Sequence, residues 1–368
     1  MPARVGRARL DWRRARRRQV RYLTHVRTHR LLAASTLAAV ALLASACASR
    51  RSARLAEQPI SPERDWDSEL RRDHPLVGKI WDQRGQRFVD EATLAASVSA
   101  AEFVILGEVH DNPDHHAVQA RLVGAIGATR RPALAFEMLE EDDQPAVDAA
   151  LERHPSDPDA LARAVDWEHS GWYAFSMYRP IFVAGLAAKM PIVAANLPRK
   201  VAKDVAFQGE AALPEEVRAA LQRAGPLAPE TIATWRAEMK SSHCDAPMPE
   251  EILDRLALAQ RARDAQMALR MIGGAASGAV LVTGNGHARV DRAVPAVLGR
   301  EAQGRTVLAV GVLEVQEGLL EPSRYAADLK AATLPYDLVV FTPATEREDP
   351  CLALRGHDFS KPKAPPRR

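Results

Sequence analysis

The sequence predicts an α/β domain: a mostly parallel sheet with helices on both faces, extended by a helical insertion and an N-terminal hairpin. Three observations lead there. Apolar runs of four to six residues recur along the chain. Most of them lack alternating polarity, as strands buried on both faces do. The segments between them are long enough for crossover helices. The composition supports a core of that size, with 47% apolar and 26% charged among 368 residues. It excludes wholesale disorder, and no apolar run reaches the ~20 residues that span a bilayer.

The chain begins with a charge split. Residues 1–30 carry eleven Arg against one acid, Asp11, and residues 31–47 carry none. The whole-chain charge of +3 therefore leaves everything after Cys47 at −7, once the +10 of the leading stretch is removed. An acidic body excludes nucleic acid as the partner. The order of basic stretch, uncharged run from Leu31 to Ala46 and cysteine is that of a secretory signal. Small residues in Leu43-Ala44-Ser45-Ala46-Cys47 make it look like a bacterial lipoprotein signal with Cys47 as the lipidated residue. The alternative is an ordinary secretory signal with an incidental Cys47.

We therefore expect a signal peptide over 1–46, a flexible tether over 47–75, a folded domain over 76–345 and a disordered tail over 346–368. Ala48 and Ser49 follow the cysteine without an Asp, so the outer membrane is the expected anchor point in a host with two membranes. In an oxidising envelope Cys244 and Cys351 are free to pair, but sequence carries no geometry, and both states stay open.

Within the domain, 78–82 and 87–90 flank Gln83-Arg84-Gly85-Gln86 as a hairpin, and a helix follows from about Glu91. Strands are expected at 103–106, 133–136, 192–195, 279–283, 307–312 and 338–341. The stretch from about 142 to 264 reads as a helical insertion. Pro214-Glu215-Glu216, Pro229-Glu230 and Pro249-Glu250-Glu251 are three helix starts, with Pro in the first turn and acids at the positive end of the dipole. The last helix, about 249–272, carries Ile252, Leu253, Leu256 and Ala259 on one face.

Two strands end in the same pattern, Gly107-Glu108-Val109-His110 and Gly284-Asn285-Gly286-His287. Residues just past the carboxyl ends of parallel strands line the ligand crevice, and glycine there allows close approach. A third strand ends in Phe136-Glu137-Met138. His110, Glu137 and His287 are a natural set for a divalent metal or for acid–base work. Separately, each has an ordinary reading, a turn for either Gly-x-x-His and an ion pair with Arg for Glu137. Asn112 and Pro113 start a helix. Of His115 and His116 in its first turn, one is expected inward and one in solvent, both kept neutral by the helix end. Phosphate loops, Gly-x-Ser-x-Gly and His-Glu-x-x-His are absent.

Gly107-Glu108-Val109-His110-Asp111-Asn112 with His115, His116 and Gln119, then Phe136-Glu137-Met138, Ala195-Asn196-Leu197-Pro198-Arg199 and Gly284-Asn285-Gly286-His287, together resemble the ChaN-type haem-binding lipoprotein family. That family is grouped with the Tiki and erythromycin-esterase-like proteins, and the resemblance spans about 77–315. It implies an α/β fold with helical additions, attachment to the envelope, and haem binding for iron uptake. The partners it implies are haem, a second copy of the chain and an outer-membrane haem receptor. The wider group implies metal-dependent hydrolysis, with Glu108, His110, Glu137 and His287 catalytic and a divalent metal on His110, Glu137 and His287.

Haem needs an iron ligand and an apolar face. Trp167, His169, Trp172, Tyr173, Phe175, Met177 and Tyr178 fall within twelve residues. They read either as a porphyrin surface or as the packing of a helix pair. Tyr173 and Tyr178 are the phenolate candidates. His243, with Met239 and Met248 nearby, is a second candidate, and His116 a third. Arg199 suits a carboxylate or phosphate, or a structural pairing.

Overall fold

The computed structural model describes residues 66–274, 276–349 and 351. The expected signal peptide and Cys47 lie outside them, as do most of the tether and tail. The expected strands are β3 (Phe103–Glu108), β4 (Ala133–Glu140), β5 (Ile192–Asn196), β6 (Ala279–Gly284), β7 (Val307–Glu314) and β8 (Leu338–Thr342), and the hairpin is β1 (Ile80–Asp82) and β2 (Arg87–Val89).

They form one sheet in the order β2-β1-β8-β7-β3-β6-β4-β5. Pairing is parallel from β5 to β8, and the hairpin adds antiparallel at one edge through β8. The helices are α1 (Glu91–Ala100), α2 (Pro113–Gly127), α3 (Gln144–Arg153), α4 (Pro158–Ala164), α5 (Phe175–Ala187), α6 (Arg199–Gln208), α7 (Glu215–Ala224), α8 (Pro229–Ser242), α9 (Glu250–Gly274), α10 (Val294–Glu301) and α11 (Tyr325–Asp328). Among the described residues no helix is long and apolar enough to cross a membrane.

Both faces of the sheet are covered, which explains the unalternated strands. Val104, Leu106, Phe136, Val280 and Val282 pack with Val118, Leu122, Ile181 and Phe182 of α2 and α5. Phe103, Ile105, Ala135 and Leu281 pack with Met267, Met271, Val297 and Leu298 of α9 and α10. The expected insertion is divided by β5, which is fully buried beside β4. Helices α3 to α5 precede it; α6 and α7 follow it and share a separate apolar cluster with α9. Ile252, expected on the apolar face of α9, is exposed; the buried stripe begins at Leu253 and continues through Ala259 and Ala262.

Order extends past both expected limits of the domain. The Asp67 and Ser68 N–H groups donate to the Asp114 carboxylate at 2.9 and 3.0 Å, and Leu70 bridges to Ala344. The last part of the tether is therefore docked. At the other end Arg347 forks onto Asp111 and Glu314, and Cys351 forms a disulfide with Cys244. The beginning of the expected disordered tail is held by ion pairs and a covalent bond.

Candidate functional site

Strand register builds the site. Across the β3–β6 ladder Glu108 lies opposite Gly284 and Gly107 opposite Thr283. On the other side of β6, Phe136 lies opposite Val282, which sets Glu137 alongside Thr283. Side chains alternate across a sheet, so Glu108 follows Leu106 toward α2 and α5, while Glu137 follows Ala135 toward α9. A register shift between β4 and β5 falls at Phe136–Glu140, a bulge of the kind that re-aims side chains beside sites.

The structure brings His110, Glu137 and His287 together at this edge, each histidine oriented by a carboxylate. His110 Nδ1–H donates to Glu108 Oε1 at 2.7 Å, and His287 Nδ1–H donates to Asp264 Oδ1 at 2.7 Å. Their Nε2 atoms face Glu137. His287 Nε2 is 3.5 Å from Glu137 Oε1. His110 Nε2 lies over Gly284, where a Cβ would stand 2.8 Å from it and 3.7 Å from Glu137 Oε2. Glycine at 284 lets imidazole and carboxylate share the space.

Glu137 is buried with both oxygens engaged. Arg263 Nη2 donates to Oε1 at 2.6 Å; Thr283 Oγ1 and the Gly284 N–H donate to Oε2 at 2.6 and 2.7 Å. Burial alone pushes its pKa up, but the charges of His287, Arg263 and His110 outweigh it and hold Glu137 far below the carboxylate range. Glu108 follows the same logic: burial raises it, His116 and His110 bring it down to about 2. Burial opposes protonation of His110 and His116 in turn, yet their carboxylate neighbours hold both above the ordinary histidine range. Asp264 goes the other way, raised by burial despite His287.

This arrangement does not suit a divalent cation. An Arg cation and two neutral donors already occupy Glu137, and His287 occupies Asp264. Among the described residues no group of three His, Cys, Asp or Glu is placed to hold a metal. The ordinary reading of Glu137, an ion pair with Arg, holds, with Arg263 as the partner.

Two cavities open beside this cluster. The first, about 260 Å³, lies among Trp172, Leu197, Arg199 and Arg263. The second, about 170 Å³, rests on His287 and Asp264. Tyr173, 48% exposed, sits next to Trp172 in the loop before α5, and the Trp172 ring packs edge-on to His110 at 5.0 Å. Arg199 opens α6 on the rim of the first cavity; its Nη2 donates to Ser170 O at 2.5 Å, and its Nε is 3.5 Å from Glu140 Oε1. Gly171, at φ +82°, faces this guanidinium, and a Cβ there would meet Arg199 Nη1 at 3.5 Å. An indole and guanidinium groups around this cavity, with the exposed Tyr173 next in sequence to the indole, fit a haem held at the surface.

Three haem-ligand candidates do not fit. Tyr178 is fully buried, its O–H donates to Glu108 Oε1 at 3.2 Å, and burial with the Glu108 charge pushes its phenol far above the ordinary range. His116 is buried against the Tyr178 ring. Its Nε2–H donates to His110 O at 3.1 Å, and its Nδ1 is 3.2 Å from Glu108 Oε2 but off the hydrogen-bonding axis. His243 follows α8, with Nδ1–H donating to Met239 O at 2.7 Å, and lines neither cavity.

The expectation that His115 or His116 faces solvent also fails, since both are buried. Burial depresses His115 to about 3, whereas Glu108 raises His116. Part of the aromatic cluster is core: Trp167 packs on Phe175, Tyr178 and Phe182, and Phe175 on Phe182. Trp172 and Tyr173 remain at the rim.

Arg263, Asp264, Thr283 and Asn196 were not singled out as site residues from the sequence, although Asn196 and Thr283 lie in segments that were. Asn196 Nδ2 donates to Glu137 O at 2.8 Å and its Oδ1 accepts from Arg263 Nε at 3.0 Å. A signal did exist for the pair on α9. Arg263 and Asp264 interrupt the small apolar stripe of Ala259, Ala262, Ala265 and Met267, and charges on a buried stripe require partners.

The family model described as haem-binding uptake, Tiki superfamily, ChaN matches residues 94–298. Among solved structures the chain is similar to ChaN of Campylobacter jejuni, a protein described as binding haem cofacially, at 19% identity and a TM-score of 0.56, over 71% of this chain and 95% of that one. A mutant erythromycin esterase, EreC, in its open conformation aligns at 12% identity and a TM-score of 0.41, over 71% and 96%. A search of curated proteins finds no match.

Proposed function

Because the chain belongs to the ChaN haem-binding uptake family of the Tiki superfamily, we propose that it is a lipid-anchored haem-binding protein of the bacterial cell envelope that serves haem or iron uptake. One observation supports the site: half-exposed Tyr173 is next in sequence to Trp172, which lines a cavity together with Arg199 and Arg263. A tyrosine oxygen is an accepted axial ligand of haem iron. An indole supplies an apolar face, and guanidinium groups pair with carboxylates such as the propionates. Haem here is cargo. The lipoprotein-type signal ending at Cys47 supplies the anchor, and the role calls for a second copy of the chain and an outer-membrane haem receptor as partners. Titrating haemin into the full-length chain should give a saturable Soret change at a fixed stoichiometry, and Cys47→Ala should abolish lipid labelling. Spectra identical to free haemin at every ratio would overturn the haem reading, and labelling that persists in the variant would overturn the anchor.

A second reading, hydrolysis at the sheet edge, is favoured by the two carboxylate-oriented histidines. Fixing Nδ1 of His110 and of His287 leaves each Nε2 free for proton transfer. If it holds, His110→Ala and His287→Ala abolish turnover of a chromogenic ester that wild type cleaves, while haemin binding persists. An inert wild type under all metal conditions would dispose of it.

A further inference from the structure

The second cavity has a feature that the haem reading does not use. Trp235 and Arg292 both line it, and both are buried, at 5% and 8% exposure. Among the described residues the Trp235 Nε1–H has no acceptor, and neither do Arg292 Nε and Nη1. The third nitrogen, Nη2, donates to Glu238, which also faces Arg289 at 3.6 Å. The Arg292 guanidinium lies 5.1 Å from the Trp235 ring centroid. An indole face attracts the charge but does not replace in-plane acceptors, and buried donors are normally matched.

The rest of the lining says what would match them. Met239 and the indole offer an apolar wall, and His287, Asp264, Gln260 and Glu238, the last held by Arg292 and Arg289, lie at the polar side. Asp264 Oδ1 is turned to His287 Nδ1. At about 170 Å³ the space is comparable to an apolar cavity of ~150 Å³ that accepts benzene. We infer that this cavity binds a carboxylate on a short apolar or single-ring body, received by Arg292 and the indole N–H of Trp235.

Two sources could present that chemistry: a free small organic acid, or a propionate arm of a porphyrin. The cavities are neighbours, since Arg263 of the first donates to Gln260 of the second at 3.3 Å. Only the porphyrin source rests on the haem reading.

The test is calorimetric titration of the full-length chain with benzoate and with uncharged benzamide. Wild type should bind benzoate, and benzamide at least about tenfold more weakly. Trp235→Phe, which keeps the ring and removes the N–H, should weaken benzoate by about five- to tenfold, the effect of one lost hydrogen bond. Arg292→Gln should abolish binding; circular dichroism melts of both variants check that they fold. Haemin and haemin dimethyl ester then separate the sources. If saturating benzoate weakens haemin but not the ester, the porphyrin arm is the occupant; if it affects neither, a free acid is. No benzoate binding at millimolar concentration, or binding unchanged in folded Trp235→Phe and Arg292→Gln, would overturn the inference while leaving the haem titration of wild type intact.

Discussion

His110 Nε2 occupies the space above Gly284: a methyl group there would lie 2.8 Å from it and 3.1 Å from Cε1 of the same ring. One missing side chain thus leaves room over β6 for a residue from the turn after β3, on the side where the Glu137 carboxylate of β4 lies. Gly284→Ala should push the imidazole away and destabilise the fold by about 1–3 kcal/mol, the usual cost of overpacking. Gly286→Ala meets nothing within 4 Å among the described residues and serves as the neutral control. Urea denaturation of both variants gives the comparison; equal midpoints would show that the contact carries no strain.

The histidines divide the pH response. His115 Nδ1 accepts the Val109 N–H at 2.8 Å while Nε2–H donates to Thr342 Oγ1 at 2.9 Å, so the folded state holds the neutral ring, with its pKa lowered from 6.5 to about 3. The unfolded chain takes up this proton first. The contribution is therefore complete above about pH 6.5 and is lost as pH falls toward 3. His110 and His116 are raised, so theirs is complete below 6.5 and is lost as pH rises through their folded values. Stability should peak near pH 6.5. His115→Asn should flatten the acid side between pH 6.5 and 4.5, above the window in which Glu108, lowered from 4.5 to about 2, begins to protonate. Denaturant midpoints at half-unit pH steps check this, and an unchanged acid slope would refute it.

The Cys244–Cys351 disulfide closes a separation of 107 residues. A loop of that length restricts the unfolded chain by about 4–5 kcal/mol in the chain-entropy model. Cys351→Ser should lower the unfolding free energy by a large part of that and leave one free thiol at Cys244. Thiol counting on the denatured, non-reduced chain tests the bond itself; two free thiols in wild type purified from an oxidising compartment would exclude it.

The sheet was legible because burial on both faces writes uninterrupted apolar runs, and each of the six runs read as a strand is one. The hairpin, the helix start at Asn112 and Pro113 and the proline-led helices of the insertion were equally local. His110, Glu137 and His287 were found by the position of each on its own strand end. What escaped was long-range. Arg263 and Asp264 are ordinary helix residues until the fold lays α9 across β4 and β6. Tyr173 and Tyr178 are equivalent by composition and differ only because one turn of α5 points inward. The docked residues 66–75 and the Arg347 fork depend on partners at Asp114, Asp111 and Glu314, which no local pattern announces.

Tyr173 and Tyr178 also supply the most direct test of the haem reading. Ferric haem bound through a phenolate has a charge-transfer band in visible absorption and resonance Raman spectra. Measured on the haemin-loaded full-length chain, that band should vanish in Tyr173→Phe and persist in Tyr178→Phe, whose hydroxyl is buried against Glu108. A band lost in Tyr178→Phe but retained in Tyr173→Phe, or unchanged in both, would contradict the assignment of Tyr173 as the iron ligand.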